Sequence, residues 1–226
     1  MRAMLLAAGR GSRLRPLTDD CPKPLLRVGG EPLIAHQLRR LAAAGIGEVV
    51  VNLGWLGEQI PAVLGDGSAF GVSLRYSDEG WPALETGGGI VRALPLLGEG
   101  PFLLLNADLW GELPLTELSA RGLQAGELGR LLLVDNPAHK PVGDFRLDGD
   151  RVRNPPATGE DLTYAGAALL HPELFAQAPE TAHALAPLLR RAADDGALSG
   201  LRHRGEWIDV GTPERLAALR AQHGGD

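Results

Sequence analysis

The segment Leu5-Leu6-Ala7-Ala8-Gly9-Arg10-Gly11-Ser12-Arg13-Leu14-Arg15-Pro16-Leu17-Thr18, closing at Pro22-Lys23-Pro24-Leu25, combines bare backbone with cations. Glycines at 9 and 11 leave amide N–H groups open to an anion, and residues Ala7, Ala8, Gly9, Arg10, Gly11, Ser12 and Arg13 form a loop able to wrap one. Residues 10–27 hold Arg10, Arg13, Arg15, Lys23 and Arg27 against Asp19 and Asp20, a balance of +3 in a chain of formal net charge −6. That pattern suits a polyphosphate, because chemistry at phosphorus rests on positioning and charge neutralisation. Two familiar phosphate loops do not fit. A dinucleotide loop needs glycine where Leu14 stands, and a P-loop lysine is followed by Ser or Thr, not Pro24. Lys23 lies between two prolines that restrict its backbone, so its ammonium is aimed at little entropic cost. Only two of the 22 basic residues are lysine, Lys23 and Lys140. An ammonium kept at 23 points to a place where a guanidinium fork does not fit.

Carboxylates form the second group. Asp108 follows the apolar run Phe102-Leu103-Leu104-Leu105-Asn106, and Asp209 closes a short run just before a helix start. Two carboxylates from distant parts of the chain, both at strand ends, suit Mg2+, which takes one or two carboxylates plus phosphate oxygens. Taken singly, each is also compatible with solvation, and Asp209 with capping the helix after it. Glu85-Thr86-Gly87-Gly88-Gly89 offers polar groups and bare backbone to a flat base or a ribose. Its hydroxyl and amides serve uracil, thymine or guanine equally. Asn106 precedes Asp108 by two and so shares its side of an extended strand, facing a ribose or a sugar or simply closing a turn. The histidines at 36, 139, 171, 183, 203 and 223 show no metal-ligand spacing, and Cys21 has no partner signature for a nucleophile.

These residues need a frame. Apolar runs at 3–7, 48–53, 72–77, 102–106 and 128–134 read as strands, separated by helical patterns at 31–44, 55–64 and 87–94. Such alternation predicts an α/β fold: a Rossmann-like three-layer sandwich with a mostly parallel central sheet, ligands lying beyond the carboxyl ends of the strands. Asn52, Asn106 and Asp108 close strands there. After residue 135 the pattern changes to a hairpin around Asp148-Gly149-Asp150, a strand at 163–170, a helix at 184–195 and strands at 198–203 and 206–210. Thr212 is placed as N-cap and Pro213 as first residue of the last helix. We expect one domain over 1–226, with a first half at 1–135 and a second half at 136–226.

Composition narrows the classes. At 226 residues with 44% hydrophobic and 22% charged residues, the chain buries a full core without staples. The negative charge argues against nucleic-acid partners, the single cysteine against disulfides or a multi-thiolate zinc site, and the lack of any long apolar run against a membrane span. No secretory leader is evident, so a cytoplasmic location is expected.

The glycine-arginine loop on the first strand followed by Pro-Lys-Pro-Leu resembles that of the sugar-1-phosphate nucleotidyltransferases, and the likeness runs along the whole chain. Leu132-Leu133-Val134-Asp135-Asn136-Pro137, Gly143-Asp144-Phe145, Trp207-Ile208-Asp209-Val210-Gly211-Thr212 and the 85–89 segment resemble its uridylyltransferase branch of bacterial cell-wall recycling. The resemblance implies small-molecule substrates, UTP and a sugar 1-phosphate, with Mg2+ as cofactor. It would make 1–135 the nucleotide-binding half and 136–226 the sugar-phosphate-binding half. It implies that residues 7–13 wrap the nucleotide with Gly11 and Arg13 on its phosphates, and that Lys23 neutralises the α-phosphate. It implies that Thr86, Gly87 and Gly88 read the base, that Asp108 and Asp209 hold Mg2+, and that Gly143, Asn154 and Tyr164 contact the sugar phosphate. Arg13, Lys23 and Asp108 would be the catalytic residues. Many relatives carry an acid–lysine pair where this chain reads Arg153-Asn154-Pro155-Pro156-Ala157, and Lys140 is expected at the surface. The chain lacks the C-terminal extensions of larger relatives, so a single activity and a monomer are expected. Other donor and acceptor pairs, GTP with mannose 1-phosphate or CTP with phosphocholine, stay open, as does a non-catalytic nucleotide-binding regulatory subunit.

Overall fold

The computed structural model describes residues 1–155 and 160–224. In chain order the elements are β1 (Arg2–Leu6), β2 (Arg27–Val28), β3 (Glu31–Pro32), α1 (Leu33–Ala43), β4 (Glu48–Leu53), α2 (Gln59–Leu64), β5 (Ser73–Asp78), α3 (Glu85–Leu97), β6 (Phe102–Asn106) and β7 (Leu109–Gly111). There follow α4 (Leu115–Ala120), β8 (Gly129–Val134), β9 (Arg146–Asp148), β10 (Arg151–Arg153), β11 (Thr163–Leu170), α5 (Ala186–Asp194), β12 (Leu198–His203), β13 (Trp207–Asp209) and α6 (Pro213–His223).

Nine strands form one sheet in the order β5-β4-β1-β6-β11-β8-β12-β10-β9. The first four run parallel. Successive residues of a strand point to opposite faces, so Ala3, Leu5, Val49, Val51, Leu103 and Leu105 join one core while Met4, Val50 and Leu104 join the other. On the first face α1 buries Ile34, Leu38 and Leu41. On the second, α3 buries Ile90, Ala93 and Leu97, and α5 buries Leu189, Ala192 and Ala193. Burial on both faces explains why these strands are continuous apolar runs. Each fully buried Leu contributes about 1.5–3 kcal/mol. This is the expected three-layer α/β sandwich.

The sheet is more mixed than the alternation predicts. β11 enters antiparallel between β6 and β8, so the second half is inserted into the first half's sheet. An all-apolar strand carries no signal of its direction, which the connecting path decides. Two short strands, β7 and β13, pair antiparallel with Asp209 opposite Leu109. Val210 N–H then donates to the Asp108 carbonyl at 3.0 Å. Gly111 makes this pairing feasible. Its φ is +121°, and a Cβ there would lie 2.0 Å from the Glu206 carbonyl oxygen.

We predict that Gly111→Ala lowers unfolding free energy by about 1–3 kcal/mol, read as a lower urea midpoint with an unchanged denaturant slope.

Candidate active site

Beyond the carboxyl ends of β1, β4 and β6 lies a cavity of about 370 Å³ lined by Leu6, Ala7, Ala8, Gly9, Gly11, Ser12, Arg13, Lys23, Asn52, Glu79, Glu85, Thr86, Asn106, Asp108 and Gly211, among others. The glycine loop forms its wall through its own hydrogen bonds. Gly11 adopts φ +65°, and a Cβ there would press on Thr18 Cγ2 at 3.0 Å. Thr18 Oγ1 in turn donates to the Gly11 carbonyl at 3.0 Å.

The loop's cations divide by task. Arg10 faces away from the cavity. It donates to the Thr18 carbonyl at 2.7 Å and to Asp19 at 2.8 Å, and its guanidinium lies 3.7 Å from the Trp55 ring centre. Arg10 therefore folds the loop instead of meeting an anion. Arg15 also binds Asp19, at 2.7 Å. Only Lys23 and Arg13 of the five reach the cavity. The Lys23 ammonium is ion-paired with the Asp108 carboxylate, their side chains 14% and 21% exposed. Lys23 is thus not a solvated surface lysine.

Asp209 lies beside this floor. Its Oδ1 accepts from Arg215 Nη1 at 2.8 Å and lies 3.3 Å from His139 Nε2. Thr212, not Asp209, caps α6. A Cβ built on Gly211, which lines the cavity, would lie 3.1 Å from Asp209 Oδ2 and 3.0 Å from Arg13 Nη2. The nearest atom to that Cβ position is Arg215 Nη2, at 2.6 Å, and Asp209 is not itself among the residues lining the cavity. Asp108 lines it and the Asp209 carboxylate lies behind Gly211; oxygen donors of this kind are what a hard divalent cation takes, so their chemistry fits the expected Mg2+.

The 85–89 segment is arranged differently from expectation. Glu85 and Thr86 line the cavity, but Gly87 and Gly88 do not. The Gly87 and Gly88 N–H groups donate to the His183 carbonyl at 2.8 and 3.2 Å. A Cβ on Gly87 would lie 2.4 Å from the His183 ring, and one on Gly88 2.2 Å from the Thr181 carbonyl oxygen. These glycines admit a neighbouring chain segment, not a base. Glu85 itself stands at φ +58°, a conformation that costs a non-glycine residue about 1–3 kcal/mol and concentrates at ligand sites.

Behind the wall is a buried chain of polar contacts in which Glu79 was not foreseen. Ala7 N–H donates to Asn52 Oδ1 at 2.6 Å, Asn52 Nδ2 to Glu79 Oε1 at 2.6 Å, and Leu84 N–H to Glu79 Oε2 at 2.8 Å. It ties the loop after β1 to the segment before α3. Burial pushes the Glu79 carboxyl above its ordinary range, against the opposing pull of these donors.

A second cavity of about 280 Å³ shares Leu6, Thr86 and Asn106 with the first and adds Lys140, Asp144, Phe145, Tyr164, Leu185, Ala186, Leu189 and Arg190. Asn106 sits at the junction because β11 bulges. Gly166 at φ +76° leaves room for its amide, where a Cβ would lie 2.5 Å from Asn106 Nδ2. Tyr164 lines this cavity. Gly143 does not: its N–H donates to Asp161 at 2.7 Å, and a Cβ there would lie 2.6 Å from the Leu162 main-chain nitrogen. Asn154 stands outside too, bonded to the Arg190 carbonyl at 3.0 Å and to Asp194 at 2.7 Å. Pro156 and Ala157 lie outside the described residues. Lys140 is partly exposed, its side chain 38% accessible, but it is not an isolated surface lysine, since it lines this cavity. It is ion-paired with Asp144, whose Oδ2 also accepts from Tyr164 N–H at 2.9 Å. An acid–lysine pair thus exists, supplied by a different segment. The scarcity of lysine that singles out 23 applies equally to 140: both lysines of the chain line these cavities.

The comparisons agree with this architecture. A profile described as "Nucleotidyl transferase" matches residues 2–153, and the chain belongs to that family. It is 48% identical over 99% of its length, and 99% of the relative's, to the N-acetylmuramate alpha-1-phosphate uridylyltransferase of Neisseria meningitidis serogroup B. It is 38% identical to the protein of the same name in Caulobacter vibrioides, covering 97% of this chain and 96% of that one. The fold matches a putative glucose-1-phosphate thymidylyltransferase from Bacillus anthracis, solved with a sucrose, at a TM-score of 0.86, covering 99% of this chain and 96% of that chain at 21% identity. Among the described residues no helix is long and apolar enough to cross a membrane.

Glu79 binds more protons folded than unfolded between its ordinary pKa of 4.5 and its raised one. Its contribution to stability therefore declines as pH rises through that window. Urea midpoints of wild type and Glu79→Gln, compared from about pH 4 to about pH 8, should show the wild type losing ground relative to the variant as pH rises; a pH-independent difference would contradict the burial-driven shift.

Proposed function

We propose that this chain transfers a uridylyl group from UTP to N-acetylmuramate α-1-phosphate, releasing pyrophosphate and forming the UDP-sugar. The observation that carries the chemistry is the meeting of Lys23 and Asp108 on the floor of a cavity walled by the glycine loop. The donor and acceptor follow from the two full-length relatives of that name. The chain then works as two halves, residues 1–135 holding the nucleotide and 136–226 the sugar phosphate.

The reaction needs no protein nucleophile. A phosphate oxygen of the sugar phosphate attacks the α-phosphorus in line, the new P–O bond forms, and the bond to the β-phosphate oxygen breaks with its electron pair leaving on pyrophosphate. The loop amides of Gly9, Gly11 and Ser12 face the triphosphate. Arg13 and Lys23 offset the charge that builds at the α-phosphorus, in a site partly closed to water where such contacts are strengthened. Asp108 keeps the ammonium aimed before substrate arrives. Asp108 and Asp209 would hold Mg2+, which when bound neutralises phosphate charge and fixes the phosphates' relative orientation. Glu85 and Thr86 border the space for base and ribose, and Asn106 stands where the two substrates meet. Lys140, with Asp144 fixing it, is the cation placed for the sugar phosphate.

A matrix of nucleoside triphosphates against sugar 1-phosphates, scored by pyrophosphate release, tests the assignment. The largest kcat/KM should fall on UTP with N-acetylmuramate 1-phosphate; GTP with mannose 1-phosphate as the best pair would replace it, and no release from any pair would make the chain a non-catalytic binding subunit. Asp108→Asn and Lys23→Ala should each lower kcat by about 10²–10³-fold with the thermal midpoint largely kept. Near-normal turnover of either variant would remove that residue from the chemistry.

A further inference from the structure

The charged lining of the second cavity is unbalanced. Its charged groups are Lys140, Asp144 and Arg190. Lys140 and Asp144 compensate each other as an ion pair. Arg190 pairs with no carboxylate among the described residues. Its Nη1 donates to the Asp144 main-chain carbonyl and to Asn154 Oδ1, both at 3.3 Å, and its guanidinium lies 5.5 Å from the Phe145 ring centre. Among the described residues, those contacts leave Nε and Nη2 without partners while holding the group at the cavity.

The hold is two-sided. Asn154 accepts from the guanidinium through Oδ1 and donates through Nδ2 to the Arg190 carbonyl at 3.0 Å. Asp194, one helical turn on, is occupied by the same Asn154 amide at 2.7 Å rather than by the guanidinium. The arginine, an exposed residue, is thus positioned by a neutral amide, and among the described residues no carboxylate meets its charge at the cavity.

A sugar 1-phosphate brings its phosphate toward the first cavity, where the nucleotide's α-phosphorus must be. That end of the second cavity is marked by Asn106 and Thr86, which line both spaces. Lys140 and Arg190 both line only the second, but His139, the neighbour of Lys140 in the chain, lies 3.3 Å from Asp209 beside the first cavity, whereas Arg190 sits on α5 against Asn154; Arg190 therefore addresses the sugar away from the phosphate. An uncompensated guanidinium there favours an anion on the ring, and its planar fork matches a carboxylate with two parallel hydrogen bonds. Tyr164, on the same wall, has a hydroxyl without a partner among the described residues; burial pushes its pKa up, so it stays a neutral donor for an uncharged ring substituent.

We propose that Arg190 is the residue that selects a carboxylate-bearing sugar 1-phosphate over its neutral counterpart, and that Asn154 is its positioning residue. This rests on the acceptor reading above: N-acetylmuramate differs from N-acetylglucosamine by one lactyl ether, which carries the carboxylate. A charge-assisted pair of this kind discriminates by about 10–100-fold.

The test measures kcat/KM for both sugar 1-phosphates at saturating UTP, using the full chain, its Arg190→Ala, Arg190→Lys and Lys140→Ala variants, and a thermal melt of each. In Arg190→Ala the muramate-to-glucosamine ratio should fall about 10–100-fold, mainly through KM for the muramate. Arg190→Lys, which keeps the charge but not the fork, should recover part of the ratio. Lys140→Ala should lower both substrates together and leave the ratio near wild type, because it addresses the shared phosphate. A wild type that discriminates while Arg190→Ala discriminates equally well overturns the Arg190 assignment alone. Equal losses on both sugars in Arg190→Ala also overturn it. A wild type that releases no pyrophosphate with the muramate overturns the acceptor reading, and this assignment with it.

Discussion

An ammonium and a carboxylate held together at the floor of a half-closed cavity require their surroundings to be fixed. Desolvating Lys23 and Asp108 costs free energy that their mutual attraction returns only in good geometry. Three separate segments supply that geometry. A short turn beginning at Pro22 aims Lys23, the end of β6 delivers Asp108, and the β7–β13 pairing fixes the backbone around Asp108. The same pairing brings Asp209 up behind Gly211, which lines the cavity. The divalent-ion site proposed for these carboxylates would need no preformed cage, since substrate phosphates would complete the oxygen shell.

The basic loop illustrates how charge divides between structure and function. Five cations at 10–27 suggest a field, but Arg10 and Arg15 are taken by Asp19 and Arg10 also stacks on Trp55. What remains at the cavity is Arg13 and Lys23, the second of them aimed by its pairing with Asp108. A loop with all its cations free would repel itself; one internal anion allows the chain to close while two cations stay available. The glycines divide in the same way. Gly11 and Gly211 open the cavity, whereas Gly87 and Gly88 admit the 181–185 segment, which docks onto the start of α3.

The second cavity depends on β11 entering the sheet antiparallel beside β6. Its bulge at Gly166 seats Asn106, and the strand carries Tyr164 to the wall. The chain has no acid–lysine pair at 153–157, but Lys140 and Asp144, four residues apart, form one on the wall of this cavity. A charge can be brought to one point in space by different segments of the chain, because the folded path and not the sequence position sets where a side chain stands.

The sequence alone established the layered α/β architecture, because strands buried on both faces must be apolar runs and the helices between them must carry one apolar stripe. Local pattern also singled out the loop, Lys23, Asn106 and Asp108, which line one cavity, and Asp209, which stands behind its Gly211 wall; Tyr164, which lines the second, was pointed to by the family resemblance alone. The sequence did not reveal that Arg10 turns inward to Trp55, that Gly87 and Gly88 pack on His183, that Asn154 orients an arginine, or that Glu79, Lys140 and Arg190 join the cavities. Each of those facts is a contact between residues distant along the chain. Composition and periodicity report which face a residue occupies, and only the folded path decides which neighbour waits there.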